Sequence, residues 1–302
     1  MAESTDAPQT VREPTVGLVT VAFRSNDVLP TLLGSVGTVA GAAVPIVVVD
    51  NFPGEIDSAA QITHQHHGAY VAMPENPGYG AAINAGIRFL PKSVEWVVIC
   101  NPDLEFSPGA IEELLAVAAT DPSIGSVGPL IRNPDGSAYP SARRIPSLRT
   151  GIGHALFANV WPANPWTRSY RHDDDHGSGV RDAGWLSGAC LLVRRSAFDA
   201  VGGFDDGYFM YFEDVDLGFR LKKAGWRNVY VPSAEAMHIG GHSTSGSSAR
   251  MVRAHHDSAK RFLDRKYPGP ALWPVRAVLN IGLSVRSRWL ERSVMRSQTP
   301  HP

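Results

Sequence analysis

Four near-continuous apolar runs, VGLVTVAF (16–23), IVVVD (46–50), YVAM (70–73) and WVVIC (96–100), alternate with helix-like stretches such as Val28–Ala40 and Gly80–Phe89. Strands that are apolar on both sides must be covered on both sides. The pattern therefore predicts an α/β fold with a mostly parallel central sheet flanked by helices. Ligands of such sheets bind beyond the carboxyl ends of the strands. Function is expected in the polar residues that follow each run: Arg24-Ser25-Asn26, Asp50-Asn51, Glu75-Asn76 and Asn101-Pro102-Asp103.

At 302 residues and 43% hydrophobic content the chain can bury a sizeable core without staples, and its 29 Gly and 23 Pro show no collagen-like period. Two cysteines, Cys100 and Cys190, lie in apolar runs and read as free thiols of a reducing compartment. The first 14 residues, MAESTDAPQTVREP, read as a disordered segment with neither a secretion signal nor an anchor. No uncharged apolar run reaches the ~18 residues of a membrane span. The expected location is the cytoplasm.

Further along, a helix at Pro108–Ala119 and a strand near Ser126–Ile131 are expected. Residues 132–184 then lose periodicity and read as a long functional connection. Regular structure resumes with WLSGACLLVRRSAF, a loop GGFDDGYFMYF, a helix EDVDLGFRLKKAG closed by Gly225, and a strand NVYVP. The Gly/Ser stretch after AMHIGG marks the best boundary, giving a catalytic domain at 15–245 and a basic helical extension at 246–302. Residues 250–302 carry 11 Lys and Arg against 3 Asp and Glu, and the rest of the chain 17 against 26. That asymmetry suits an anionic surface, membrane or nucleic acid. The arginines at 276, 286, 288, 292 and 296 are not confined to one helical face, so a core-packing or dimer helix remains open beside a membrane role supported by Trp273 and Trp289.

Several groups of residues carry chemistry. Asp50, Asn51 and Asp103 sit at strand ends, where carboxylates could hold a nucleotide edge and a hard cation, although each alone could cap a turn. In Asn76-Pro77-Gly78-Tyr79-Gly80-Ala81-Ala82-Ile83-Asn84-Ala85-Gly86, small residues would let a helix start lie close to a ligand with free amides facing an anion. Glu213, Asp214 and Asp216 put three acids in a first helical turn behind Tyr208, Phe209, Tyr211 and Phe212. Dipole stabilisation and an Asp216–Arg220 pair account for one or two of them, which leaves a candidate general base. His238 and His242 follow the last strand, whereas HDDDH at 172–176 reads as a solvated loop.

Taken in order, the first strand, VVVDN, NPGYGAAINAG, NPD, the GWLSGAC to KKAGW block and a His after one more strand resemble the family 2 glycosyltransferases of GT-A fold over residues 15–245. Within them the chain looks most like bacterial rhamnosyltransferases. The resemblance implies that Phe23, Arg24, Asp50 and Asn51 meet the nucleobase, and that Asn76, Gly78, Tyr79, Gly80, Asn84 and Asn101 line the donor pocket. It implies Asp103 in the metal place of the DXD motif, with Asn101 standing where that motif often has its first Asp, and His238 as a further ligand to Mg2+ or Mn2+. Asp214, beside Glu213, would be the base, with Trp185, Ser187 and Gly188 near the acceptor. One base without a nucleophile pair implies direct displacement and inversion.

The implied partners are dTDP-L-rhamnose, a polyprenyl-diphosphate-linked N-acetylglucosaminyl acceptor of cell-wall linker synthesis, an anionic inner membrane face and a possible second copy, but no nucleic acid. Another donor or acceptor, or a sugar-nucleotide-binding protein without catalysis, is the alternative. A nicotinamide oxidoreductase fails because VAFRSNDVLP after the first strand lacks the glycine fingerprint.

Overall fold

The computed structural model describes residues 15–54, 58–147, 179–239 and 249–297, with side chains as far as residue 288. HDDDH, His242, the Gly/Ser boundary and the first 14 residues lie outside the described residues. Strands β1 (Val16–Ala22), β4 (Ile46–Asp50), β5 (Ala69–Ala72) and β6 (Trp96–Cys100) fall on the four apolar runs. They pair in parallel in the order β5-β4-β1-β6. Two short strands, β2 (Thr38–Val39) and β3 (Ala42–Ala43), form a hairpin between them.

Beyond β6 the sheet becomes mixed. Strand β13 (Cys190–Arg194) runs antiparallel to both β6 and β8 (Ile124–Arg132), and β14 (Arg227–His238) runs parallel to β8. An apolar run buried on both faces does not reveal strand direction, so the parallel expectation holds for the first half only. Cys100 and Cys190 are partners across β6 and β13, buried and free. Residues 132–184 contribute short strands: β9 (Ala138–Tyr139), β10 (Ala142–Arg143) and β11 (Arg181–Ala183). Strand β12 (Trp185–Leu186) follows and pairs with β10.

Helices α1 (Leu29–Ser35), α2 (Ser58–Gln65), α3 (Tyr79–Ile87) and α4 (Ala110–Ala118) connect the first half. Helix α3 can lie against β1 and β4 because residue 86 has no side chain: a Cβ there would sit 2.5 Å from Val19 and 2.7 Å from Val49. Apolar clusters fill both faces of the sheet. The second half adds α5 (Arg195–Ala200) and α6 (Glu213–Lys223), the latter closed by Gly225 at φ 92° as its sequence predicts.

The basic extension forms two helices, α7 (Ala249–Lys266) and α8 (Trp273–Ser297), packed on each other. Helix α7 also packs on the body: buried Phe262 joins Tyr208 and Val215 in a third cluster beneath α6. Arg265 and Arg220 both pair with Asp216, which is fully buried, and Arg261 and Arg265 both pair with Asp205. Asp216 is thus the structural member of the three acids.

Candidate active site

The carboxyl ends of β1, β4 and β6 open on one crevice. At its β4 end Asp50 accepts hydrogen bonds from the Phe52 amide (2.8 Å) and the Tyr70 hydroxyl (3.1 Å). Beside it is a cavity of about 330 Å³ lined by Ala22, Arg24, Asn26, Asp50, Phe52 and Ser58, among others. Arg24 adopts φ 55° and stacks its guanidinium 4.4 Å from the Phe52 ring, which meets Phe23 edge-on. A flat, partly charged wall beside a carboxylate suits a planar heterocycle.

Next to Asp50, Asn51 donates to Asn76 Oδ1 and to the Gly78 carbonyl, and its own buried Oδ1 has no hydrogen-bond partner. Gly78 has φ 98°, and a Cβ there would lie 2.2 Å from the Phe209 carbonyl. Its glycine serves a close backbone crossing. The expected free amides of α3 are corrected in part, since the Tyr79 N–H donates to that same Phe209 carbonyl at 3.1 Å. Gly80 packs on the Phe204 ring, and Asn84 bonds the Phe204 backbone and Asp206. The structure gives these two residues packing and loop-holding work, because the 204–206 turn crosses over α3.

Further along the crevice the extension of β14 beyond NVYVP matters. After an irregularity at Val231–Glu235 it pairs antiparallel with β7 (Leu104–Phe106), setting His238 opposite Leu104. That register brings His238 Nε2 to 3.1 Å from Asp103 Oδ1. Both atoms are buried and neither makes a hydrogen bond. Two ligands on one octahedral ion with bonds of ~2.1 Å would stand about 3 Å apart, so the pair fits a hard divalent cation. Among the described residues no third His, Cys, Asp or Glu joins them. Asn101 holds the neighbouring turn, its amide donating to the Ala189 carbonyl. Tyr139 lies against the His238 ring at 5.7 Å.

The opposite wall is the start of α6. Tyr211 and Phe212 precede it at φ 67° and 64°, two consecutive non-glycine residues in the left-handed region at a cost on the order of 1–3 kcal/mol each. The turn they make delivers Glu213 and Asp214 to the crevice. Asp214 Oδ2 accepts from the Gly188 amide at 3.0 Å and Oδ1 from Val215 at 2.8 Å. The Tyr79 hydroxyl donates to the Gly188 carbonyl at 2.7 Å, so α3, the Ser187-Gly188 loop and α6 meet at one point. Trp185 is fixed by its indole N–H on the Arg144 carbonyl, and Ser187 by its amide on Ser141.

Burial raises both acids. Glu213, next to the Asp214 charge and with a buried oxygen lacking a partner, reaches about 8. Asp214 is raised by burial too, but the Gly188 and Val215 amides and the Arg143 charge pull it back. Two carboxyls so close in a buried corner disfavour ionising together, and the Gly188 and Val215 amides favour the charge on Asp214.

The chain matches the profile described as Glycosyltransferase like family 2 over residues 14–256. It belongs to that glycosyltransferase family. This family 2 glycosyltransferase is 44% identical over 290 residues to the N-acetylglucosaminyl-diphospho-decaprenol L-rhamnosyltransferase of Mycobacterium tuberculosis, covering 92% of this chain and 94% of that one. An 82-residue stretch, 27% of the chain, is 46% identical to rhamnosyltransferase WbbL of Escherichia coli and covers 31% of it. Among solved structures, the Pyrobaculum calidifontis mannosyltransferase in complex with GDP-Man and Mn2+ superposes with a TM-score of 0.58 at 14% identity, covering 98% of this chain and 79% of that one. GalNAc-T7 with UDP, GalNAc and Mn2+ superposes with a TM-score of 0.55 at 15% identity, covering 89% and 54%. Those two likenesses establish the GT-A fold.

Asp50, Asn51, Asn76, Asp103, His238, Glu213 and Asp214 all belong to residues that the fold brings around the crevice. Arg143, Tyr139, Tyr70 and Phe52 join them without having been singled out. Arg143 and Tyr139 sit in the aperiodic stretch, where no spacing distinguishes them.

Proposed function

We propose that this glycosyltransferase moves L-rhamnose from dTDP-L-rhamnose to an N-acetylglucosaminyl-diphospho-polyprenol with inversion at the anomeric carbon. The rhamnosyl group and the diphosphate-linked acceptor are those in the name of the near full-length mycobacterial relative, and the dTDP carrier is the one that the sequence resemblance implies. The chemistry rests on one observation: Asp214 is a carboxyl whose ionised form two backbone amides support, beside a Glu213 that burial pushes up to about 8. The acceptor hydroxyl oxygen forms the new bond to the rhamnosyl anomeric carbon as the bond from that carbon to the diphosphate oxygen breaks. The electron pair leaves with dTDP, and the hydroxyl proton passes to Asp214.

Asp103 and His238 would hold a divalent cation, which when bound supplies charge stabilisation to the departing diphosphate. Asp50, with the Arg24–Phe52 wall, would receive the base edge. A lipid-linked acceptor also calls for a membrane face, and α8 offers one. Trp273, Val275, Val278, Ile281 and Val285 are exposed along it, with Leu272 in the turn just before it, and so are Arg286 and Arg288. No helix among the described residues is long and apolar enough to cross a membrane, so the attachment would be peripheral.

The test is transfer from a panel of nucleotide sugars to a diphosphate-linked N-acetylglucosamine lipid with Mg2+ or Mn2+, read by product mass and anomeric configuration. Rhamnosyl product of inverted configuration is expected. Turnover of another donor with none of dTDP-rhamnose would overturn the donor assignment, and retained configuration would overturn the single-displacement step.

A further inference from the structure

Tyr208, Phe209, Tyr211 and Phe212 put four rings into the five residues before α6, and the proposed chemistry uses none of them. All four meet α7. The Arg261 guanidinium lies 5.4 Å from the Tyr208 ring, and that of Arg250 lies 4.7 Å from the Phe209 ring. His255 sets its imidazole edge-on to both remaining rings, with centroids 5.3 Å from Tyr211 and 5.5 Å from Phe212. Phe212 also meets the buried Phe262 at 5.8 Å. The loop runs so close to α7 that a Cβ at Gly207 would fall 2.0 Å from the Arg261 guanidinium carbon.

The backbone between the rings is held from the same helix. Ser258 is buried and donates its hydroxyl to the Met210 carbonyl at 2.9 Å. Residues 255, 258 and 262 follow one another at steps of three and four, so one face of α7 carries all three. Helix α3 holds the earlier part of the loop, through Asn84 on Asp206 and the Tyr79 amide on the Phe209 carbonyl. From Met210 to Phe212 it is α7 that supplies the hydroxyl and the rings.

Those contacts fall where the chain is strained. The Met210 carbonyl belongs to the peptide plane that leads into Tyr211, and Tyr211 and Phe212 are the two left-handed residues. Neither side chain favours that conformation, which persists only where its surroundings over-determine it. Asp214 follows two residues later, seated on the Gly188 amide. If the turn relaxed, the start of α6 would move, and a displacement of about 1 Å at a reacting group can cost ~10²-fold in rate.

We propose that His255 and Ser258 are positioning residues for the base: they hold the Tyr211-Phe212 turn in its left-handed form and so keep Asp214 on the Gly188 amide. The inference rests on Asp214 as the base and deepens that reading. It also carries the catalytic unit past the Gly/Ser boundary, because α7 then belongs to the site.

The test is a double-mutant cycle in the full-length chain, read as transfer from dTDP-rhamnose to the diphosphate-linked N-acetylglucosamine lipid. His255→Ala should lower kcat about tenfold, or about 1.4 kcal/mol of barrier. KM for dTDP-rhamnose should stay within about twofold of the parent's. His255→Phe restores a ring and should recover most of the loss. Ser258→Ala should lower kcat by a similar factor. A residue that acts through the base has nothing left to act on once the base is gone. His255→Ala added to Asp214→Asn should therefore be as slow as Asp214→Asn alone.

Parental kcat in both His255→Ala and Ser258→Ala would overturn the proposal, and so would a His255→Ala loss that multiplies in full with that of Asp214→Asn. His255→Phe as slow as the alanine variant would give the imidazole a task other than ring packing, which also overturns it. His255 is exposed, so its truncation opens no core cavity, and if Ser258→Ala does not fold the His255 cycle decides alone. Parental turnover by Asp214→Asn would instead remove the base assignment itself, a result visible in that single variant before the cycle is closed.

Discussion

The crevice and the C-terminal helical pair break the ordinary rule of burial in opposite directions. In the crevice Asp103 and Glu213 are only 5% and 7% exposed and keep oxygens without hydrogen-bond partners. On α8, Val278 and Ile281 are 70% and 64% exposed, although both are apolar. Each departure costs free energy in the isolated chain, and under the proposed function each would be offset when something else arrives: a cation and a sugar nucleotide in one place, an apolar or lipid surface in the other. The two regions are not independent. Helix α7 lies between them, and its Arg261 and Arg265 grip Asp205 and Asp216 on the loop and helix that present Asp214.

The largest effect should come from the centre of the crevice. Asp214→Asn should lower turnover ~10²–10⁴-fold while dTDP-rhamnose still binds by calorimetry. Turnover within a few-fold of the parent would move the base elsewhere. Next, Asp103→Ala, His238→Ala or exhaustive chelation should each cost several kcal/mol of transition-state stabilisation, about 10²–10³ in rate, and weaken donor binding. Activity untouched by chelation would mean that their proximity reflects an ion pair and nothing more.

The link between the regions can be broken separately. Arg265→Ala leaves the fully buried Asp216 with Arg220 as its one cation beside the Tyr208 hydroxyl, and should cost about 1–3 kcal/mol of stability, a fall of several degrees in Tm. An unchanged Tm would show α7 to be an appendage. The outer region should respond more gently: Val278→Asp with Ile281→Asp should lower partition onto anionic vesicles about tenfold, and rising salt should weaken the parent's binding too. If instead the pair of changes leaves vesicle binding intact and turns a dimer into a monomer, the stripe is an interface between copies.

How much of this was readable beforehand follows from what each pattern encodes. The four apolar runs located β1, β4, β5 and β6, because burial on both faces leaves a compositional trace. The same runs could not show that β13 is antiparallel, since direction leaves none. The acids at 213–216 and Asp103 were legible through their surroundings in the linear sequence, Asp216 through its spacing to Arg220, while the choice of Asp214 as base and Asp103 as metal ligand came from the family resemblance. Arg143 was not, because its meaning comes from a two-residue strand pairing with Trp185. Nor were Arg261 and Arg265, whose partners lie 56 and 49 positions away. The left-handed pair Tyr211-Phe212 carries no glycine or asparagine to announce it.

The smallest effect is also the one whose sign is most easily mistaken. Glu213 moves from an ordinary 4.5 to about 8 in the folded protein, chiefly because burial disfavours its charge, with the Asp214 carboxylate adding to the shift. Between those two values the folded chain holds a proton that the unfolded chain has released, so stability must fall as pH rises through that window. The contribution is complete below about pH 4.5 and absent above about pH 8. Asp214 is shifted in the same direction, but its amide donors and Arg143 restrain it, so Glu213 should dominate the slope. Glu213→Gln keeps the shape and the neutral form at every pH. Its Tm should therefore decline less than the parent's across this range, by about 5 °C or so at the alkaline end. Superimposable slopes for the two proteins would mean that the Glu213 carboxyl ionises readily where it sits, and the pairing of a protonated neighbour with an ionised base would have to be abandoned.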